Sequence, residues 1–404
     1  MKDFVILGAS VLRGGRPETC PVSVEGGRVS FSPSGARDGR AVVDASGKVV
    51  LPGFTDVHVH LREPGFSYKE TIAAGTEAAA RSGYTALCAM PNLDPVPDCL
   101  PALQRELELI RRDARVRVVP YGSITRGERG EALSDLEAMA PFAAGFSDDG
   151  HGVASEPLMR EAMRRAKGLG KLVAAHCEDL SAPAGERETR EAERNIRLAL
   201  ETGCALHLCH VSKAATVAAV RRGKAAGADL TCETAPHYVL LDEGDVRDDG
   251  RFRMNPPIGT AADRRAVLEG LLDGTIDMIA TDHAPHSAAE KSRGFAGSLS
   301  GITGLECAFP VLYTGLVKTG LMTLARLCAL MSAAPARRFG LGAGELSEGG
   351  AADLAVFDLE EEYELDPAAF RSLGRSTPFA GRRVCGRCLL TAAGGRIVWN
   401  GFEG

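Results

Sequence analysis

No stretch of about 18 consecutive apolar residues occurs in the 404-residue sequence, which leaves no candidate for a transmembrane helix. The one apolar run near its start, Phe4 to Leu7, is too short for the core of a secretory signal. An excess of positive charge is missing too, with 47 Lys and Arg against 53 Asp and Glu and a formal net charge of -6. Proteins that grip phosphate backbones carry a basic face or stripe, so neither nucleic acid nor a membrane is an expected partner. A cytoplasmic location follows. Cys385 and Cys388 form a Cys-x-x-Cys pair with no second pair nearby, so they read as strand or turn residues rather than half of a zinc ribbon. Eleven cysteines, an odd number in a large chain without an export signal, point to reduced thiols rather than a disulfide framework.

What is present is a composition able to build a large core, 45% hydrophobic and 25% charged, in a chain long enough for one big domain with a smaller attachment. Between Gly53 and Asp282 short apolar runs alternate with segments of helical period, the pattern of repeated βα units. The expected strands are Gly53 to His58, Thr85 to Met90, Val116 to Tyr121, Ala143 to Ser147, Leu172 to His176, Ala205 to His210, Ala228 to Glu233 and Asp277 to Asp282. Helices are expected between them, among them Glu70 to Arg81, Glu156 to Lys167, Ser212 to Ala226 and Ala262 to Asp273. Eight parallel strands with helices between them predict an α/β chain whose centre is a (β/α)8 TIM barrel.

The head and the tail read differently. Short β-prone pieces, Phe4 to Leu7 and Ala41 to Val43 in the head, then Asp353 to Phe357, Arg383 to Leu390 and Arg396 to Trp399 in the tail, stand among Gly and Pro. They predict one small β domain assembled from residues 1–50 and 346–404 around a barrel of residues 51–345. The polar stretch from Asp358 to Pro378 reads as a surface excursion.

Chemistry concentrates at the ends of the expected strands. Asp56, His58 and His60 form Asp-x-His-x-His on the first, and period-two alternation turns both imidazoles to one side, where they can share a metal. Asp56 stays unassigned. His176 ends the fifth strand and His210 the sixth, so each arrives at the carboxyl-end rim where barrels of this kind hold their chemistry. Two acidic positions complete the group: Asp148 or Asp149 after strand four, of which alternation lets only one face inward, and Asp282 after strand eight. A carboxylate has two oxygens and can bridge two cations. Arg62, beside the histidines, offers the paired donors that suit a carboxylate.

Taken in order, Asp-Val-His-Val-His-Leu-Arg-Glu-Pro-Gly from Asp56, Ala-Met-Pro-Asn ending at Asn92, Asp-Asp-Gly from Asp148, His-Cys-Glu-Asp from His176, Cys-His-Val-Ser from Cys209, Asn-Pro-Pro from Asn255 and Thr-Asp-His-Ala-Pro-His from Thr281 resemble the bacterial dihydroorotases. The likeness reaches into the tail at Ala352 to Leu354 and Ser376 to Phe379. It implies a metal-dependent cyclic amidohydrolase that interconverts dihydroorotate and N-carbamoyl-L-aspartate in pyrimidine synthesis, holding one or two zinc ions. It further implies His58, His60, Asp149, His176 and His210 as metal ligands, with Asp149 bridging in a two-metal form. Asp282 would be both ligand and proton shuttle. Substrate contacts would come from Arg62, Asn92, Asn255 and His286, with backbone groups near Ser300 and Gly301. A homodimer and an association with aspartate transcarbamoylase are the partners the resemblance suggests.

Two departures bear on the rival readings. Related hydantoinases and allantoinases bridge their metals with a carboxylated lysine at strand four, whereas Gly145 to Gly150 contains no lysine. An inactive structural partner of aspartate transcarbamoylase would have lost metal positions, and here all are filled. The loop from Asp179 toward Glu193 is shorter than the resemblance leads one to expect. His151, His207, His237 and His283 receive no role.

Overall fold

The computed structural model describes residues 3–31, 40–342 and 344–402, so the extreme ends of the expected head and tail, residues 1–2 and 403–404, lie outside the described residues. The chain is of the mixed α/β class. One parallel sheet runs in the order Arg117–Pro120, Tyr84–Ala89, Phe54–Val59, and a second in the order Val173–Ala175, Leu206–Leu208, Leu230–Thr234, Met278–Ile279. Every residue of Phe54–Val59 and of Tyr84–Ala89 is buried, as happens when helices or other layers cover both faces of a parallel sheet. Single parallel bridges connect the two sheets: Phe146 pairs with Gly122 on one side and Val173 on the other, and Val59 pairs with His283.

Several helices begin where a side chain caps them. Ser155 accepts from the Leu158 amide ahead of Glu156–Gly168, and Thr260 with Asp263 closes a reciprocal box ahead of Ala261–Asp273. The first expected helix, from Glu70, starts instead at Ile72. Thr71 is its cap, accepting from the Ala74 amide, and Glu70 is drawn away to accept from the Ser372 hydroxyl and the Leu373 amide. Of the expected strand Ala143 to Ser147 only Phe146 forms a bridge to both neighbours, yet the Ala144 amide still donates to the Pro120 carbonyl and the Gly145 carbonyl accepts from the Gly122 amide. Gly145 is pressed against the Leu172 carbonyl, which a Cβ would approach to 2.8 Å, and the chain turns immediately afterwards at Asp148, whose carbonyl accepts from the His151 amide.

Head and tail interleave. A six-stranded sheet runs Arg396–Asn400, Arg387–Ala393, Leu354–Asp358, Val49–Pro52, Ser10–Arg13, Arg16–Thr19, and a four-stranded one runs Arg28–Ser30, Val22–Glu25, Phe4–Leu7, Ala41–Asp44. Phe4, Ile6, Val11, Val22, Val24, Val50, Leu354, Val356 and Leu390 belong to one buried apolar cluster that draws on both sheets. Gly53 joins Val49–Pro52 to the first parallel strand, and only glycine suits that joint, since a Cβ there would sit 2.4 Å from the Thr85 side chain. Phe357 from the tail packs against Phe54 with ring centroids 5.4 Å apart, tying the two regions together.

The tail corrects two expectations. Arg383 to Leu390 is not one strand: it breaks at Gly386 (φ 98°), so that Arg383–Val384 pairs with Tyr363–Glu364 while Arg387–Ala393 pairs with Leu354–Asp358. Asp358 to Pro378 is a surface excursion only in part: Leu365, Phe370, Ser372 and Thr377 are buried, while Glu360, Glu361, Glu362, Asp366 and Arg375 among them are exposed. Buried Glu306 draws that segment inward by accepting from the amides of Arg371 and Ser372.

Candidate metal centre

His58 and His60 leave the end of the first parallel strand on one side of it, as alternation demands, and both are buried. After the Phe146 bridge the chain presents two neighbouring carboxylates with different fates. Asp148 turns into the protein, accepting from the amides of Ile124 (2.7 Å) and Thr125 (3.0 Å) and from the Thr125 hydroxyl. Asp149 faces the histidines. Its oxygens lie 3.4 Å from His58 Nε2, 3.4 Å from His60 Nε2, 3.6 Å from His176 Nδ1 and 3.4 Å from His210 Nε2. Asp282 closes the group, with Oδ1 3.5 Å from His58 Nε2 and 3.3 Å from His60 Nε2.

Donor atoms of His58, His60 and Asp149 all fall within 4.8 Å of one another, as do those of Asp149, His176 and His210, so Asp149 belongs to two potential ligand triads. Imidazole and carboxylate donors sit about 2.0–2.2 Å from a tetrahedral cation, which spaces neighbouring donors roughly 3.3 Å apart. Most of the observed separations match. His58 Nε2 and Asp149 Oδ1 are buried without a hydrogen-bond partner among the described residues although they face each other, the condition a cation between them relieves. The residues present therefore fit a divalent metal.

The neighbouring carboxylates set the ionisation of these groups. Burial pulls the His176 imidazolium down, but Asp149 and Glu178 outweigh it and hold its pKa at about 10. His58 is likewise lifted well above its usual value against burial, by Asp149 and Glu233. His60 goes the other way, lowered by burial with Arg62 adding to it. Despite burial, His60, His58 and His210 keep the Asp282 carboxyl at about 2, so it is ionised at neutral pH.

Backbone conformation aims several of these side chains. Arg62 (φ 60°), His210 (φ 36°) and Asp282 (φ 47°) occupy the left-handed region, which costs a non-glycine residue about 1–3 kcal/mol and persists only where surrounding structure enforces it. Asp56 accepts from the amides of His58 and Thr281, cross-linking the strand that carries His58 to the segment that carries Asp282. It belongs to neither triad, and burial raises its pKa to about 7.

Most of the remaining predicted residues ring the same centre. Arg62 Nε donates to the Pro285 carbonyl at 3.2 Å, and its Nη2 lies 3.5 Å from His286 Nε2. Asn92 donates to the backbone carbonyl of Asp149, and its own Oδ1 is buried without a partner among the described residues. Asn255 donates to Glu178 at 2.9 Å, and Glu178 in turn lies 3.5 Å from His176 Nε2. His286 Nε2 donates to the Ser300 carbonyl at 2.8 Å. The Gly301 amide donates to the Arg253 carbonyl at 3.0 Å. Ser300 thus touches His286, and Gly301 touches Arg253, through the backbone.

Two acids escaped the sequence reading. Glu233 bridges His58 Nδ1 (2.6 Å) and His207 Nε2 (3.1 Å), so it fixes which His58 nitrogen faces Asp149 and gives His207 a partner. Together with Cys209 it forms a third close group on His58. The signal was a single acid inside an expected barrel strand, at Glu233 of Leu230–Thr234. Glu178 was quoted only as part of the His176 motif. Of the histidines left without a role, His237 is buried with Nε2 unpartnered among the described residues, His283 is buried with Nδ1 accepting from the Gly304 amide, and His151 is exposed.

The amidohydrolase family model matches residues 49–398. The chain is 45% identical over 383 residues to a dihydroorotase of Bacillus cereus, covering 90% of each sequence. The same identity and coverage hold for a dihydroorotase of Bacillus anthracis. Among solved structures it resembles the L-hydantoinase (dihydropyrimidinase) of Arthrobacter aurescens, with a TM-score of 0.89 and 25% identity over 99% of this chain and 96% of that one. It also resembles the dihydropyrimidinase of Brevibacillus agri, with a TM-score of 0.87 and 22% identity over 99% and 95%.

Proposed function

The chain belongs to the amidohydrolase family, and from that membership and its dihydroorotase relatives we infer that it is a metal-dependent dihydroorotase, hydrolysing dihydroorotate reversibly to N-carbamoyl-L-aspartate in pyrimidine synthesis. The observation that carries the reading is Asp149 set 3.4–3.6 Å from four imidazoles, with no lysine between Gly145 and Gly150 to take its place. The hydantoinase neighbours share the fold. They are the second reading, and the aspartate weighs against it.

We propose zinc as the ion, held by His58, His60, His176, His210, Asp149 and Asp282, since imidazole and carboxylate are among its usual donors. When bound, such a cation lowers the pKa of water from about 15.7 toward about 7 and polarises a carbonyl. The chain's own groups do the rest. The Arg62 guanidinium clamps the substrate carboxylate with paired hydrogen bonds, and Asn92, Asn255, His286 and the backbone at Ser300 and Gly301 orient the ring. The Asp282 carboxylate takes the attacking water's proton on an oxygen and passes it to the departing ring nitrogen. Microscopic reversibility gives it both tasks in ring closure.

The Phe146 and Val59–His283 bridges support reading the two parallel sheets as arcs of one (β/α)8 barrel. Leu346 and Leu354 in the head–tail apolar cluster support a small β domain of residues 1–50 and 346–404 around a barrel of residues 51–345. A homodimer, an association with aspartate transcarbamoylase and a cytoplasmic location rest on the resemblance. Light scattering with and without added aspartate transcarbamoylase tests the first two. Among the described residues no helix is long and apolar enough to cross a membrane.

The deciding experiment is metal content by plasma emission followed by parallel assays on dihydroorotate, hydantoin and allantoin. Turnover confined to dihydroorotate, with one or two zinc ions per chain, is expected. Preference for either other ring would overturn the assignment.

A further inference from the structure

Lys291 is a buried ammonium that the mechanism leaves unused. It ends the short helix Ala288–Lys291 and is 7% exposed. Its Nζ donates to three backbone carbonyls, Arg253 at 2.9 Å, Leu299 at 2.7 Å and Gly301 at 2.7 Å. An ammonium has three protons, so its capacity is filled by backbone alone. Burying a charge is unfavourable unless its hydrogen bonds are well placed, and burial does push this ammonium down to about 8, with Arg253 adding to the effect.

The three carbonyls belong to two loops more than 40 residues apart in sequence, one around Arg253 and one around Ser300. Arg253 precedes Asn255, and Leu299 and Gly301 flank Ser300. The Gly301 amide donates back to the Arg253 carbonyl at 3.0 Å, making a second stitch between the same loops. Close packing leaves them little freedom: a Cβ on Gly250 would lie 2.2 Å from the Lys291 carbonyl, and one on Gly301 would lie 2.5 Å from the Ala284 carbonyl. The helix itself is anchored at its other end by Ser287 and Glu290, and Glu290 also pairs with Lys69 at 3.1 Å beside His286.

We infer that Lys291 is a positioning residue for substrate capture, a three-pronged clamp that holds the Asn255 loop and the Ser300–Gly301 loop in register across the mouth of the site. The inference rests on the substrate-facing role given to those loops under the proposed function. Lys291 touches no substrate and acts through the carbonyls it fixes, and a displacement of about 1 Å in a binding group is enough to weaken capture severely.

The test is Lys291→Met in the metal-loaded enzyme, which keeps the side chain's length and removes all three donors, with Lys291→Gln as a second variant that keeps two donors on a shorter chain. Expected for Lys291→Met are a rise of about ten-fold or more in KM for dihydroorotate, a kcat within about two-fold and unchanged metal content. Faster hydrogen exchange should be confined to residues 250–256 and 292–301, and Lys291→Gln should fall between. An unchanged KM, or exchange that does not rise in those two segments, overturns the clamp. So does a global loss of fold and metal in both variants, which would make Lys291 a general core residue. Wild-type enzyme runs alongside: if it fails to turn over dihydroorotate, the functional reading falls, and the exchange pattern still decides the clamp.

Discussion

The rim that gathers His58, His60, Asp149, His176, His210 and Asp282 and the layer where head and tail interleave are both deeply buried, yet they spend burial in opposite ways. In the head–tail layer Phe4, Ile6, Val24, Val50, Leu354 and Val356 bury apolar surface with scarcely a polar atom among them. At the rim, charged side chains are packed against each other, His58 Nε2 and Asp149 Oδ1 have no hydrogen-bond partner among the described residues, and two of the six sit at positive φ. One region lowers the free energy of the fold. The other holds strained, uncompensated groups that become favourable only when a cation and substrate arrive.

The largest expected effect separates the two regions at once. Asp282→Asn should lower turnover by about 10³-fold or more, the scale of a lost general acid–base group, while bound metal is largely retained and melting stays near wild type. Steady-state kinetics with plasma emission on the same sample checks it, and near-normal turnover would remove Asp282 from proton transfer. The converse change lies in the other region. Leu354→Ala removes a fully buried side chain from the head–tail cluster and should cost about 2–5 kcal/mol of stability, read by denaturant titration. Turnover per folded molecule should not move. If it falls, the two regions are not independent.

A smaller effect probes the edge of the rim. Arg62→Ala should raise KM by roughly 10- to 100-fold, the worth of one charge-assisted paired contact, with kcat far less affected. Burial already lowers the Arg62 guanidinium to about 10, with Asp282 and Asp149 opposing, so it remains charged at neutral pH and the effect should be flat between pH 6 and 8. Full activity with an unchanged KM would reject it as the carboxylate anchor.

How much of this was legible in the sequence follows from how local each signal is. His58 and His60 share a side because strand alternation is a two-residue rule, and the structure keeps it. Choosing between Asp148 and Asp149 needs the amides of Ile124 and Thr125, 24 and 23 residues away, which no period reveals. Glu233 was missed because its partner His58 lies 175 residues distant. Strand four was legible as well: it narrows to bridges at Phe146, and the amides of Ala144 and Phe146 still donate to the carbonyls of Pro120 and Leu172 on its two sides. The tail segment after Asp358 reads as solvated because it is polar, and the part around Ser372 is nevertheless buried because Glu70 and Glu306 supply acceptors for its hydroxyl and amides.

The smallest expected effect sharpens the comparison from the side where chemistry should be absent. Cys385 and Cys388 are the sequence's one Cys-x-x-Cys, and they stand in the region that holds the tail to the rest. All eleven cysteines are free, and the surroundings of these two are those of packing residues. Cys385 Sγ contacts the Glu360 carbonyl at 3.9 Å, and Cys388 Sγ contacts the Leu390 carbonyl at 3.6 Å and the Thr391 hydroxyl at 3.3 Å. Burial pushes the Cys388 thiol up to about 12, the reverse of what a thiolate ligand needs. Replacing both by alanine should therefore cost no more than about 1–2 kcal/mol, the loss of two small apolar contacts, and leave metal content and turnover unchanged. A drop of one zinc per chain in the double variant would place a metal in the tail and erase the contrast between a region built for packing and a rim built for chemistry.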